Sequence, residues 1–458
     1  MTRSRAQDAR RNERARRERV GSFMGGTDKN RGGKKRKPFF RKAPPKSGPP
    51  LRKIGGARSA EGRVVWRMTN LTRLYCDVAQ PMDHLRYGRG RSAPATAAGR
   101  RPIVVWNITR RCNLKCLHCY QDSDSRHYPG ELDWQQCQSV VDDLAQFKVP
   151  ALLLSGGEPM IHPRFFELAE YAAGKGLRLT LSTNGTLIDA ENARRLKDIG
   201  FSYAGISLDG MGATHDHFRG RSGAFEKAVA AFRHCKAVGQ KVGLRLTLSS
   251  HNIDDLDNIL DFIEREDIER VCFYHLVYSG RGAELVEVPH EKTRAAIDKI
   301  LDRTARWVAE GSPREVLTVD QPVDGPYLYM RLLRENPERA ERAWELLNWN
   351  GGGANSSGTG ISNIDTQGNV HPDQFWHSLT LGNVKDRPFS EIWTNRDHPE
   401  LTALRNRKEH LTGRCASCRW LNLCGGGFRV RALQMTGDFW APDPSCYLRD
   451  EETALEAV

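Results

Sequence analysis

Between residues 101 and 276 short apolar runs alternate with amphipathic stretches, and this beat limits the fold more than any other feature of the 458-residue chain. The runs are PIVVWNIT, ALLLS (151–155), LRLTLST (177–183), YAGISLDG (203–210), KVGLRLTL (241–248) and VCFYHL (271–276). Stretches of helical period follow them at 131–147, 163–175, 189–199, near 223–238, near 254–266 and near 290–310. Strand and covering helix in repeated succession build a parallel sheet with its helices outside. Six such units suit an incomplete barrel better than a closed eightfold one.

After 276 the pattern turns helical, near 290–310 and 326–347, the second stretch containing Pro337. The loop GGGANSSGTG (351–360) separates it from ISNIDTQGNVHPD, where 365–368 reads as a hairpin turn. The expected division is therefore a tail at 1–62, an N-terminal segment at 63–100 and the partial barrel at 101–312. A helical bridge with its glycine-rich loop spans 313–360, and a smaller cysteine-rich domain spans 361–458.

Charge separates the tail from the rest. The chain carries a net charge of +14, yet residues 1–62 hold 20 Lys/Arg against 5 Asp/Glu, leaving 50 basic and 51 acidic residues in 63–458. The tail has few apolar residues and much Gly and Pro, so it cannot bury enough surface to offset its ordering entropy and is expected to be disordered. A nearly neutral folded part makes nucleic acid an unpromising partner for it. No apolar run approaches the length of a membrane span and no signal-peptide pattern precedes the fold, which points to the cytoplasm. Met68 heads the string MTNLTRLY, so translation starting there is one account of the tail; an extra anion-binding arm is the other.

Seven of eleven cysteines fall into two tight groups, which points to metal rather than disulfides. TRRCNLKCLHCY places Cys112, Cys116 and Cys119 directly after the first barrel strand. Three thiolates within eight residues can wrap one face of an iron–sulfur cube and leave one iron open. RCASCRWLNLCGGGFRV contributes Cys415, Cys418 and Cys424, and DPSCYL adds Cys446. Four thiolates can saturate a [4Fe–4S] cube, although the same pattern also suits zinc. Gly425, Gly426 and Gly427 let backbone amides approach the sulfurs, a way of tuning such a cluster. Cys76, Cys137, Cys235 and Cys272 stand alone and read as ordinary core or surface residues.

The first spacing resembles the radical SAM superfamily, whose open iron chelates S-adenosylmethionine. GGEP (Gly156, Gly157, Glu158, Pro159) ends the second strand, Ser182 and Asn184 end the third, Ser207 and Asp209 end the fourth, and Arg245 lies in the fifth. By that resemblance GGEP holds the methionine amino group, the fourth-strand polar groups meet the ribose, and Arg245 meets the carboxylate. His118 stands where an aromatic ring often lies beside the adenine; a merely packed histidine is the alternative. The fold implied is a partial (β/α)6 TIM-like barrel with a smaller C-terminal cluster domain similar to an abbreviated SPASM or twitch domain.

Longer strings, VVWNITRRCNLKCLHCY, LSGGEPMIHP, GISLDGMGATHDHFRG, NIDTQGNVHPDQFW, SLTLGNVKDRPFSEIW and TGDFWAPDPSCYL, resemble the radical SAM enzymes of haem d1 biosynthesis over roughly 63–458. The resemblance implies an iron tetrapyrrole substrate, 12,18-didecarboxysirohaem, whose two propionates on rings A and B are removed or oxidatively remodelled through a 5′-deoxyadenosyl radical. It also implies an external electron donor such as a flavodoxin or ferredoxin. An iron macrocycle bearing carboxylates calls for an axial ligand and cationic donors. His371, Trp376 and His377 in HPDQFWH, Arg281 in YSGRG, and His215 and His217 in THDHF are the candidates. Oxidative decarboxylation of propionates to vinyls, as in haem b synthases, and peptide maturation are the alternatives within the superfamily. A colourless zinc- or nucleic-acid-binding protein is the alternative outside it.

Overall fold

The computed structural model of the chain describes residues 68–81, 83, 101–350 and 356–454. The basic tail, residues 63–67, 82 and 84–100 of the N-terminal segment, and residues 351–355 of the glycine-rich loop lie outside the described residues. Among the described residues eleven strands form one sheet: β1 (Thr69–Asn70), β2 (Ile103–Asn107), β3 (Leu152–Ser155), β4 (Leu179–Thr183), β5 (Tyr203–Ser207), β6 (Val242–Leu248), β7 (Arg270–His275), β8 (Glu315–Val319), β9 (Ile361–Ile364), β10 (Asn369–His371) and β11 (Gly382–Asn383). Strands β2 to β8 are neighbours in chain order and all parallel. Helices fill all six intervals between them, as the repeated beat requires.

Period-two alternation partitions each strand. Val104, Leu152, Leu154, Leu179, Leu181, Ala204, Ile206, Leu244, Leu246, Val271 and Phe273 are fully buried. The alternate positions Val105, Leu153, Thr180, Tyr203, Arg245, Cys272 and Tyr274 line a cavity of about 170 Å³ inside the barrel. The helices are cut to length by local chemistry. Trp134–Phe147 opens on a capping box in which Asp133 and Gln136 satisfy each other's backbone amides, and stops at Lys148 in the left-handed region.

Two features depart from the expected bridge at 313–360. EVLTV forms β8, a seventh parallel strand, with Val316 and Leu317 wholly buried. The helical stretch around Pro337 is two helices, Asp324–Glu335 and Pro337–Asn350. Proline lacks the amide a helix interior needs but suits a first turn, and Asn336 caps the second helix through the Arg339 amide at 3.1 Å. The hairpin at 365–368 forms as expected between β9 and β10. β9 also pairs in parallel with β2, so the hairpin extends the barrel sheet.

A buried ion pair braces the C-terminal segment and aims one of its members at the barrel. Arg431 and Asp443 are both shielded from solvent and meet through two bonds of 2.9 and 2.7 Å. Arg431 also donates to the Leu276 carbonyl just beyond β7 (3.3 Å), while Asp443 accepts from the Phe428 amide (2.7 Å). Removing one partner strands a charge in the interior. Arg431→Met is expected to cost about 3–5 kcal/mol of stability, read by anaerobic denaturant titration of the cluster-loaded protein; a loss near zero would show that the pair does not hold the segment.

Candidate active site

The first cysteine group lies on the loop between β2 and helix Trp134–Phe147, packed with Leu114 and Ala224. Each sulfur faces a donor. The Leu114 amide and Asn184 Nδ2 approach Cys112 Sγ (3.4 and 3.9 Å), Arg219 Nη1 approaches Cys116 Sγ (3.6 Å), and the Ser123 amide approaches Cys119 Sγ (3.4 Å). Arg219 is held by a short buried ion pair to Asp209, whose other oxygen accepts from the Thr247 amide (2.7 Å). Burial, with Cys116 and Glu158 adding, pushes the Cys112 thiol up to about 12. Such a thiolate triad needs cationic charge among its sulfurs, which is the chemistry an iron–sulfur cluster supplies.

The loop is seated by two glycines. A Cβ on Gly156 would meet the Thr109 carbonyl, and one on Gly157 the Arg111 carbonyl, while the Gly157 and Glu158 amides donate to Thr109 and Arg111 (2.7 and 2.9 Å). Glu158 is fully buried and accepts from Met160 N, Thr183 Oγ1 and Asn184 N (3.2, 2.8 and 2.8 Å). It staples GGEP to the end of β4, and neither it nor Pro159 lines the cavity. Gly156, Gly157, Ser182, Asn184 and Ser207 do line it, together with the three cysteines, around about 160 Å³. Asp209 does not; it pairs with Arg219.

Arg245 lines both this cavity and the barrel interior, stacked over Tyr274 at 4.7 Å, and no carboxylate pairs with it among the described residues. An enclosed guanidinium without a counter-ion fits a ligand carboxylate. His118 also lines the cavity; its ring packs on Phe218 at 4.6 Å, and burial lowers its pKa to about 4, so it is neutral.

The substrate candidates fare differently. His371 is buried with Nδ1 on the Leu379 carbonyl (2.7 Å) and Nε2 towards Asp365 (3.4 Å), so neither nitrogen is available to iron. Arg281 lines the cavity, but it donates to the Cys116 carbonyl (2.8 Å), Asp122 (2.5 Å) and the Ser123 carbonyl (2.9 Å). It clasps the cysteine loop and has little left for a substrate. Trp376 is buried away from both cavities, His215 accepts from the Asp209 amide (3.1 Å), and His217 is exposed. His377 is exposed and stacked on Tyr120 at 6.1 Å.

Three cavity residues escaped the sequence reading. Asp320, just past β8, stands in the left-handed region, lines both cavities and makes no hydrogen bond or ion pair to described residues. Gln374 has a buried carbonyl oxygen without a partner, and His275 ends β7. A strand after a long helix would have signalled Asp320, and the polar end of VCFYHL would have signalled His275; Gln374 carries no strand-end signal.

Cys415, Cys418, Cys424 and Cys446 line a separate enclosure of about 20 Å³ with Gly426, Gly427 and Asp443. The Gly427 amide donates to Cys424 Sγ at 3.1 Å and Arg414 approaches Cys446 Sγ at 3.7 Å. Burial pushes the Cys446 thiol up to about 12, so this set too fits a cationic cluster. Among the described residues no three His, Cys, Asp or Glu side chains converge as ligands of a single metal ion.

This barrel, with its cysteine-lined mouth and second cysteine enclosure, is that of a radical SAM enzyme. Residues 106–263 match the radical SAM superfamily and 357–419 the SPASM iron–sulfur cluster-binding domain, and the chain belongs to that superfamily. Within it the relatives include haem-related synthases, and also mycofactocin maturases at 29–31% identity. The chain is 49% identical to the Fe-coproporphyrin III synthase of Methanosarcina barkeri, over 84% of this chain and 98% of that protein. It is 45% identical to the pre-heme d1 synthase of Dinoroseobacter shibae (79% and 90%), and 32% identical to an AdoMet-dependent heme synthase of M. barkeri (76% and 96%). The fold matches native anSMEcpe with bound AdoMet (TM-score 0.59, 20% identity, 76% of this chain and 94% of that one). It also matches Streptococcus suis SuiB bound to S-adenosylmethionine (0.58, 16%, 76% and 78%). The cofactors of the family are a [4Fe–4S] cluster with S-adenosylmethionine and, through SPASM, further iron–sulfur clusters. No helix among the described residues is long and apolar enough to cross a membrane.

Asp320 gives a pH signature. Burial, with the Asp373 charge adding and Arg431 and Arg245 opposing, raises its pKa to about 7. The folded state then holds a proton that the unfolded state releases near pH 4, so stability falls as pH rises from about 4 to 7. Asp320→Asn is expected to flatten that fall relative to the parent protein in melting temperatures between pH 5 and 7.5; parallel curves would mean that Asp320 is ionised throughout.

Proposed function

We propose that the chain acts on 12,18-didecarboxysirohaem and removes or oxidatively remodels the two propionates on rings A and B, the reaction class of haem d1 biosynthesis. The observation that carries this reading is the position of the HPDQFW block. Gln374 and Phe375 share the first cavity with the cysteine loop, and Asp373 and Gln374 continue into the barrel interior. The segment most particular to the resemblance therefore lines the site itself. Relatives named for tetrapyrrole products support the same substrate class.

In this reading Cys112, Cys116 and Cys119 hold a [4Fe–4S] cluster whose fourth iron is left for S-adenosylmethionine. Gly156 and Gly157 receive the amino group, Arg245 the carboxylate, and Ser182 and Ser207 the remaining polar edge; Glu158, Asn184 and Asp209 hold the loops that present them. The reduced cluster with its bound S-adenosylmethionine supplies a carbon radical able to abstract hydrogen from a propionate. Cys415, Cys418, Cys424 and Cys446 hold a saturated cluster suited to taking up the electron left on the substrate. An external flavodoxin or ferredoxin delivers the first electron.

A second reading is favoured by the 49% identity to the Fe-coproporphyrin III synthase. A coproporphyrin keeps four propionates, so the groups lost would be acetates. One experiment separates them: anaerobic incubation with S-adenosylmethionine, a reductant and 12,18-didecarboxysirohaem, followed by mass analysis. Loss of two propionates is expected; loss of acetates gives the second reading, loss of carbon dioxide alone a haem b synthase type, and an unchanged tetrapyrrole rejects all three. Arg245→Met is expected to weaken S-adenosylmethionine binding by about 2 kcal/mol, some thirtyfold, in equilibrium dialysis of the cluster-loaded protein. A variant lacking Cys415 and Cys418 that turns over at the normal rate would refute the acceptor role.

A further inference from the structure

The expected axial ligands in HPDQFWH do not offer a free nitrogen to the cavity: His371 has both ring nitrogens engaged and His377 stacks outside on Tyr120. One histidine does. His275 is the last residue of β7, and its ring is only 7% exposed, yet it lines the same cavity as Cys112, Cys116, Cys119 and Arg245. Its Nε2 lies 3.0 Å from Asp324 Oδ2, and the other Asp324 oxygen accepts from Tyr447 Oη at 2.6 Å. Asp324 is fully buried at the start of helix Asp324–Glu335.

This arrangement decides the tautomer. A carboxylate can only accept, so Nε2 carries the hydrogen and the Nδ1 lone pair is left outward. Nδ1 has no hydrogen-bond partner among the described residues and is not sealed in by protein, and His275 lines the cavity. The ring is held in plane by Tyr447, which stacks on it at 6.3 Å with 15° between planes. A carboxylate behind an imidazole, with the far nitrogen facing a cavity, is how proteins orient a metal-ligating histidine and raise its basicity. The other cavity histidine, His118, lacks this support: its Nδ1 is buried without a partner, its face is packed on Phe218, and it sits between two cluster cysteines.

We propose that His275, oriented by Asp324, is the protein ligand to the iron of the tetrapyrrole substrate. The proposal rests on the tetrapyrrole reading above. It places the macrocycle iron at the C-terminal end of β7, in the cavity shared with the cysteine loop, and makes Asp324 a positioning residue.

The test uses the full chain, loaded with its clusters and labelled with ¹⁵N-histidine, and two probes: 12,18-didecarboxysirohaem and the same macrocycle without iron. Electron–nuclear double resonance of the bound ferric probe is expected to show coupling to one histidine nitrogen. His275→Ala is expected to abolish that coupling and to weaken the iron probe about tenfold or more, leaving the iron-free probe within about twofold, and added imidazole to restore the lost affinity. Iron content and iron-free binding report that the variant is folded. His275→Cys is expected to convert the ferric spectrum to a thiolate-ligated one. The assignment is overturned if the bound probe shows no histidine coupling in the parent protein, or if the coupling survives His275→Ala and disappears in His118→Ala. Should neither probe bind the parent protein, the tetrapyrrole reading falls and takes this assignment with it; binding of both probes without coupling overturns the ligand alone.

Discussion

Much of the molecule is organised around the Arg431–Asp443 pair. A buried ion pair contributes little net stability, because two desolvation penalties offset the attraction, but it tolerates few alternative geometries. Here it joins three things. Asp443 stands against Gly427 in the second cysteine enclosure, its carboxylate fixes the Phe428 amide, and Arg431 reaches the carbonyl of Leu276 at the mouth of the barrel. The second cysteine set is thereby registered to the end of β7, next to the residue that faces the first cavity.

The two cysteine sets differ in what surrounds them. The first opens onto a cavity lined by Arg245 and strand-end polar groups, whereas the second lines a smaller enclosure of about 20 Å³. A cluster that must admit a ligand and one that need only exchange electrons call for these different surroundings. The barrel interior follows the same logic. Tyr203, Arg245, Arg270 and Tyr274 occupy inward positions that apolar branched residues usually fill in closed barrels, so the cavity wall carries polar groups that a ligand can meet.

Arg219 shows how such a site is built from the residue upward. It lies ten residues after Asp209 and 103 after Cys116, and it bridges them, so that a carboxylate on a strand end controls the charge beside a cluster sulfur. Asp209 was legible as a strand-end polar group of the site. That it works through Arg219 and not by contact with a ligand depends on the helix Gly212–Arg219 folding back over the cysteine loop, where the Lys115 and Leu117 amides meet the carbonyls of Arg219 and Phe218.

By itself, the sequence determined the succession of strands and helices as far as residue 276, the two cysteine sets and the glycines of GGEP, because each is written in local period or spacing. Apolar periodicity records which face of an element is buried, and cysteine spacing records how a short loop can wrap a cluster. Tertiary structure alone decided which polar side chains keep a free group. HPDQFWH held the obvious histidines, yet His371 spends both nitrogens on Leu379 and Asp365, and Arg281 spends its donors on the cysteine loop. His275 obtains its orienting carboxylate from Asp324, 49 residues away, and Asp324 its second donor from Tyr447, 123 residues away. Hydrogen-bond satisfaction is a property of the folded neighbourhood, and no local pattern in the chain can state whether a donor or a lone pair is still available once the strands and helices have met.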